Sequence, residues 1–409
     1  MKSKTSNWQW LNWLFWGRVF TASAFFMYVG SMPYLIKIWE LNATQAGIIQ
    51  TGLVIGFALS LFFSSYYSDF VNPNKILIIS SVGNVISAFL FTYFSEGFFS
   101  ALLLNASLGF FLGGIYGPSM ILVSEKFSKG HKGFAMGAML GGQSFGYALS
   151  LSISFIFSNF YNVKDGFLIC SSLTLLGLLF FYICCKDDLK NRIKFKIVKK
   201  FNITSQSNQN KFLIKGYTAH TIELFGMWAW APVFLGFVLI SKTDLNPVLL
   251  GAVIALALHL TGIFSNMISG SLADRYGAKL ILITFALISS SFSFLIGWIS
   301  SWNWIIILLI TFAYSFFTIG DSGVLTSALT DNTNRNILGR SLAFRSIIGI
   351  GFGSLAPGFF GFILDITNNH QPISASTNWI YAFSTLGIAG LFASYYATKL
   401  DRKGLLKSF

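Results

Sequence analysis

His220 and Glu223 stand three residues apart in the apolar stretch YTAHTIELFGMWAW, a spacing that puts an imidazole and a carboxyl on one face of a helix. Such a pair can take up, hold and hand on a proton. A lone carboxyl in apolar surroundings must be protonated or paired, so Glu223 is the leading proton carrier, with His220 relaying the proton or pairing with its charged form. His259 lies midway along the next apolar stretch, and Asp321 interrupts a later one within TIGDSGVLTSAL. His259 fits a second role equally well, that of a neutral imidazole bonded to nearby backbone. Arg18, in the first apolar stretch, would either attract an anion or snorkel to the nearer end of its helix.

The elements that hold these groups are twelve apolar segments, from 11–36 to 377–399, each at or above the roughly 20 residues a bilayer requires. With 54% hydrophobic and 10% charged residues, the chain cannot hide its apolar surface in a water-soluble core. It reads as an all-α integral membrane protein. Within a membrane helix an ionisable group costs about 2.5 to 3.5 kcal/mol even on the lenient insertion scale and usually faces a cavity or a partner. Counting about 1.5 Å per residue from the inner end of their helix puts His220 and Glu223 roughly 12 to 16 Å deep, near the bilayer centre.

Charge sets the expected orientation. Of the 28 Lys and Arg, 23 fall at the termini or in alternate connections, while the other connections hold only Lys37, Lys164 and Lys242. Positive charge is retained on the cytoplasmic side, so both termini are expected there, in a multi-pass protein of the inner (cytoplasmic) membrane. The net charge of +14 then reflects topology and attraction to anionic lipid, and no nucleic acid is expected as a partner. No cleavable leader is expected, because Met1 to Trp10 runs directly into a full-length span. Cys170, Cys184 and Cys185 share one span without metal-ligand spacing and read as packing residues. No metal or cofactor is expected.

The charged stretch 186–211 divides the chain into six-span halves, 1–185 and 212–409. Leu189, Ile193, Ile197 and Phe201 recur every four residues within it, which suits either an amphipathic helix on the inner leaflet or a solvated tether. The halves echo each other. Asp69 and Asp274 lie 205 residues apart, Glu125 and Asp331 each precede a glycine by eight positions, and glycines crowd the fifth and eleventh spans.

At Gly270 to Lys279, GSLADRYGAK resembles the G-x-x-x-D-R-x-G-R-K loop signature of the major facilitator superfamily, with Ala278 at the usual first basic position. The likeness extends over the whole chain: twelve spans, a six-plus-six division, inside termini and this loop between spans eight and nine. It implies two pseudo-symmetric six-helix bundles. The first-half loop, SYYSDFVNPNK, keeps Asp69 and Lys75 but has Ser65 for glycine and Phe70 for arginine. The resemblance makes Asp69, Lys75, Gly270, Asp274, Arg275, Gly277, Lys279, Arg340 and Arg345 a cytoplasmic gate. Asp69 is expected near Arg340 and Arg345, and Asp274 near His131 and Lys132. Arg275 and Lys279 equally suit plain topology markers.

The function implied is secondary active transport of a small polar or organic solute by alternating access, coupled to protons, in a monomer. The other class left open is a non-transporting receptor or assembly factor of the same fold. No catalytic residues, and no enzyme, are expected, since no nucleophile with its base and no phosphate-binding loop occurs. Gly30, Pro33 and the Gly226 to Pro232 stretch are expected to bend their helices as outer hinges. Trp228, Trp230 and Tyr217 could stack on a substrate, with Trp230 better suited to the membrane interface. Phrases such as TAHTIELFGMWAWAPVFL faintly resemble permeases grouped with nitrate, nitrite or cyanate carriers, but the arginines that nitrate carriers place in spans two and eight are missing. So is the span-four arginine of sugar carriers and many drug antiporters, where Asn105 stands ahead of Gly109, so none of these subclasses is expected.

Overall fold

Asparagine and serine start several of the helices. Asn72, Asn162, Ser207, Asn246 and Asn303 each accept a backbone N–H of the first turn, and Pro73 and Pro247 follow two of these caps at a position where the missing N–H costs nothing. The structure, a computed structural model, describes residues 6–68, 71–127, 131–189, 207–333, 338–374 and 376–401.

Among these residues there are fifteen α-helices and no strand. The first unit's helices are α1 (Asn7–Ala22), α4 (Pro73–Phe94), α5 (Phe98–Lys126), α6 (Lys132–Phe160) and α7 (Val163–Cys185). The second holds α8 (Asn208–Ile240), α9 (Pro247–Ala255), α10 (Thr261–Tyr276), α11 (Ala278–Ile296), α12 (Trp304–Asp331), α13 (Leu338–Gly353), α14 (Ala356–Thr367) and α15 (Ile380–Thr398). Two more helices, α2 (Met27–Ile38) and α3 (Ala43–Tyr67), lie at the division: one compact unit comprises 1–31 with 52–198, the other 32–51 with 199–409.

Eleven helical segments among the described residues are long and apolar enough to cross a membrane. The remaining one, α6, has 29 residues but carries Gln143, five glycines and several serines, which lower its apolarity. Those small residues serve packing. A Cβ at Gly146 would come within 2.2 Å of the Val19 carbonyl, and one at Gly142 within 2.9 Å of the Phe15 carbonyl, so only glycine lets α6 lie this close to α1.

Three spans are interrupted. The first breaks between Ala22 and Met27, where Ser150 of α6 accepts the Phe26 N–H at 3.0 Å and Ser23 donates to the Cys170 carbonyl at 3.0 Å. Ser150 thus satisfies a backbone N–H at the break, while Ser23 ties the break to α7. Gly30 and Pro33 do not make this bend; both lie inside α2. The Gly226 to Pro232 stretch does not break its helix either, for α8 runs unbroken through it. The eighth span contains a π-helical turn at Leu256–Leu260, and the eleventh breaks at Ser354 and Leu355 between α13 and α14.

Within the second unit, the start of α3 packs backbone against backbone on α14. A Cβ at Gly47 would meet the Pro357 carbonyl at 2.1 Å, and one at Gly361 the Ala43 carbonyl at 2.1 Å. Asp365 caps this helix start: its carboxylate accepts the N–H of Ala43 at 2.9 Å, the N–H of Thr44 at 2.8 Å and the Thr44 hydroxyl at 2.5 Å. Trp230 is fully buried beside Phe360 and donates its indole N–H to the Pro357 carbonyl at 2.8 Å. The interfacial position expected for it is therefore wrong; its N–H satisfies the carbonyl of a broken span.

Candidate functional site

The acid and base residues of α8 and α12 meet inside the second unit. His220, Glu223 and Asp321 are 1%, 2% and 4% exposed. His220 Nδ1 stands 2.8 Å from Asp321 Oδ1, a close ion-pair contact rather than an aligned hydrogen bond, while Nε2 is 2.7 Å from the Ser322 hydroxyl. Asp321 and Ser322 are consecutive on α12, so one turn of that helix engages both ring nitrogens. A carboxylate at Nδ1 favours the proton on that nitrogen, leaving Nε2 to exchange one with a hydroxyl. A void of about 10 Å³ borders Asp321, at the lower limit of the space a single water needs.

Glu223 looks elsewhere. It is one turn on from His220 but points to α11, where the Ser289 hydroxyl donates to Oε2 at 3.2 Å; Oε1 is buried with no hydrogen bond. The carboxyl fits because residue 390 is glycine: a Cβ there would come within 2.7 Å of Oε2. Ser293, one turn beyond Ser289, accepts the Tyr314 hydroxyl at 3.0 Å. The pairing of His220 with Glu223 is thus not formed, since α12 supplies a nearer carboxylate. His259 sits buried in the π-helical turn, its ring 5.7 Å from that of Trp228. Wider turns of this kind often mark functional positions. A separate apolar cavity of about 640 Å³, bordered by Ile222, Phe352, Ile388 and Phe392 with Lys211 and Lys215, does not include the acid and base groups.

In the first unit, Arg18 lies eleven residues beyond the start of α1, roughly 17 Å along its axis, and is 3% exposed. Snorkelling is therefore excluded. The guanidinium donates to Gln143 Oε1 and lies 5.5 Å from the ring centroid of Tyr116, while Gln143 Nε2 donates to the Tyr147 hydroxyl. Its Nε is buried with no hydrogen bond, and no carboxylate pairs with it among the described residues.

The family model described as Major Facilitator Superfamily matches residues 14–357. The chain belongs to the major facilitator superfamily. Members catalogued as similar include the multidrug resistance protein MdtG of Citrobacter koseri, 22% identical over 280 residues that make up 67% of this chain and 68% of the relative. The uncharacterized transporter BU588 of Buchnera aphidicola is 25% identical over 66% of this chain and 65% of its own. The inner membrane transport protein YnfM of Escherichia coli is 22% identical over 60% and 58%. A crystal structure of a mutant of the nucleoside transporter NupG superposes with a TM-score of 0.75 at 11% identity, covering 96% of this chain and 99% of that one, which establishes the superfamily's fold here. This is a family of membrane transporters, not of enzymes.

The superfamily loop signature takes clear local form. Gly277 ends α10 at φ 90°, a left-handed conformation that strains any residue with a Cβ, and its N–H bonds the Ala273 carbonyl at 2.9 Å. Lys279 donates to the Leu400 carbonyl at 2.6 Å, tying the loop to the end of α15. Asp274 and Arg275 are exposed, the latter over the Tyr276 ring; Gly270 faces open space, and Lys75 is exposed in the first turn of α4. Arg345 packs its guanidinium 4.2 Å from the Tyr217 ring centroid and donates to Thr326 at 2.8 Å. Asp69 and the side chains of Lys132 and Arg340 lie outside the described residues, as does most of 186–211.

Sequence reasoning missed Asp365, Gln143 and Tyr147. A carboxylate in GFFGFILDITNN was a visible signal of the same kind as Asp321, whereas Gln143 and Tyr147, at i and i+4 among glycines, became informative only with Arg18 beside them.

Proposed function

We propose that this protein is a secondary active transporter that moves a small solute across the inner membrane by alternating access, driven by protons. The observation that carries the coupling is the buried set of Glu223, Asp321 and His220, three ionisable groups that a purely structural core has no reason to retain. A proton loaded on Glu223 would neutralise it in its buried pocket; releasing it would leave a charge held only by hydroxyl groups, those of Ser289 and the neighbouring Tyr314. That difference between the two states is what a coupling group must provide. Relatives are named for multidrug resistance and nucleoside transport, and their names suit a small organic cargo for this chain as well.

In this reading the chain acts as a monomer, with six-helix bundles at 1–185 and 212–409 rocking about the 186–211 linker and both termini in the cytoplasm. Asp274 and its neighbours close the inner side. The test is uptake into proteoliposomes of labelled carboxylates, sugars, nucleosides and lipophilic cations, with and without an imposed pH gradient. Accumulation of one class that collapses with the gradient is expected. Transport indifferent to the gradient would refute proton coupling, and no transport of any class would favour a receptor or assembly factor of the same fold.

A further inference from the structure

Among the described residues the buried guanidinium of Arg18 has no carboxylate counterion. We infer that it is the recognition group for a negatively charged substrate, a small anion carrying a carboxylate or phosphate. This inference rests on the transporter reading above and names its substrate class.

The surroundings are built to present the charge rather than to neutralise it. Gln143 offers its amide oxygen to one guanidinium nitrogen, and its own N–H₂ is held by the Tyr147 hydroxyl one turn along α6. Because a guanidinium can only donate, the amide turns its oxygen to Arg18, and the N–H₂ then finds the Tyr147 hydroxyl as acceptor. Tyr147 is itself clamped by Phe25 and Phe26, at ring centroid distances of 4.5 and 4.9 Å. Gly142 and Gly146 bring α6 against the backbone of α1, which sets the separation between Arg18 and Gln143. The positioning residues are thus rigid. An amide oxygen and an aromatic face satisfy a guanidinium only in part, for it has five N–H donors in a planar fork, and its Nε makes no hydrogen bond here.

Two carboxylate or phosphate oxygens match that fork, and a cationic or neutral solute does not. Gln143 is half-buried, so this partner of the guanidinium is not sealed within the packing. The distribution of charge agrees. The buried acids of the second unit are engaged by His220, by Ser289 and, for Asp365, by the start of α3, so no internal carboxylate is left over for Arg18 among the described residues. The full positive charge remains for the substrate.

The test is thermal unfolding of the purified protein in detergent with lactate, succinate, inorganic phosphate or glucose 6-phosphate, against glucose and tetraphenylphosphonium, followed by proteoliposome uptake of the same labelled compounds. Stabilisation by at least one anion is expected, with affinity lowered tenfold or more in Arg18→Gln and partly recovered in Arg18→Lys. Should Arg18→Gln fail to fold, Gln143→Glu decides the matter: it places a carboxylate beside the guanidinium and should abolish anion stabilisation by internal competition. An anion that stabilises without being taken up supports the site and refutes transport. Stabilisation by the cation or by glucose that Arg18→Gln leaves unchanged, or no response to any of the four anions, would overturn the inference.

Discussion

His220 reaches across to Asp321 on α12, with Nδ1 2.8 Å from Oδ1, while Glu223, one turn along the same helix, turns to Ser289 on α11. The two carboxyls consequently have different duties. Asp321 fixes the orientation of an imidazole, and Glu223 stands in a buried pocket with no cation beside it, only the hydroxyls of Ser289 and Tyr314. The first suits a structural and relaying role, the second a group that cycles between charged and neutral.

Removing one member of a buried pair strands the other, at a typical cost of about 3 to 5 kcal/mol. Asp321→Asn and His220→Ala should each lower the unfolding temperature, and the double variant should be little worse than the poorer single one. Strictly additive losses would mean that the two side chains do not interact.

Glu223→Gln should abolish gradient-driven accumulation while sparing exchange of substrate across the membrane. The amide keeps the shape and can still accept from Ser289, but it carries no proton between states. A variant that still concentrates substrate with an unaltered pH profile would exclude Glu223 and make Asp321 the leading carrier.

Gly390→Ala tests the pocket from its other wall. The new methyl would stand 2.7 Å from Glu223 Oε2 and 3.1 Å from Ser290 Cβ, so the carboxyl must move. Coupled transport should fall as in Glu223→Gln. Gly216→Ala is the control: its nearest neighbour is 3.7 Å away, and alanine in a helix gains about 1 kcal/mol over glycine, so stability should hold or rise. Equal effects of the two substitutions would argue against a specific role for Gly390.

Asp365→Asn removes the charge that faces the first turn of α3 and weakens two backbone hydrogen bonds. A lost cap of this kind costs about 0.5 to 2 kcal/mol. Hydrogen exchange should accelerate at Ala43 and Thr44 before it changes in α8. Unchanged protection there would mean the cap contributes nothing to holding that helix start.

A cysteine at Ser205 should be inaccessible to an impermeant thiol reagent in intact cells and react after permeabilisation. Cys170, Cys184 and Cys185 are buried and give little background. Labelling from outside would reverse the proposed topology.

Spans were legible in the sequence because twenty apolar residues in a row leave a chain few choices but a membrane helix, and the loop GSLADRYGAK was legible because the left-handed turn at Gly277 demands its glycine. The burial of His220, Glu223 and Asp321 followed from the same logic, for charge within an apolar run is costly wherever it falls. Periodicity along a single helix could not say which partner each would find. His220 and Glu223 share a face, yet the nearer carboxylate to the imidazole came from a helix a hundred residues away, and the glycine that makes room for Glu223 lies on α15. Arg18 shows the same division. Its charge was plain from the sequence, but whether it reached water or stayed inside depended on Gln143 and Tyr116, which glycine-mediated packing of α6 and the crossing of α5 bring beside it. Local composition determines what must enter the membrane, and only the packing of distant helices decides which buried charge meets which partner, because those contacts are set by side-chain volume and close backbone approach across helices that the linear order keeps apart.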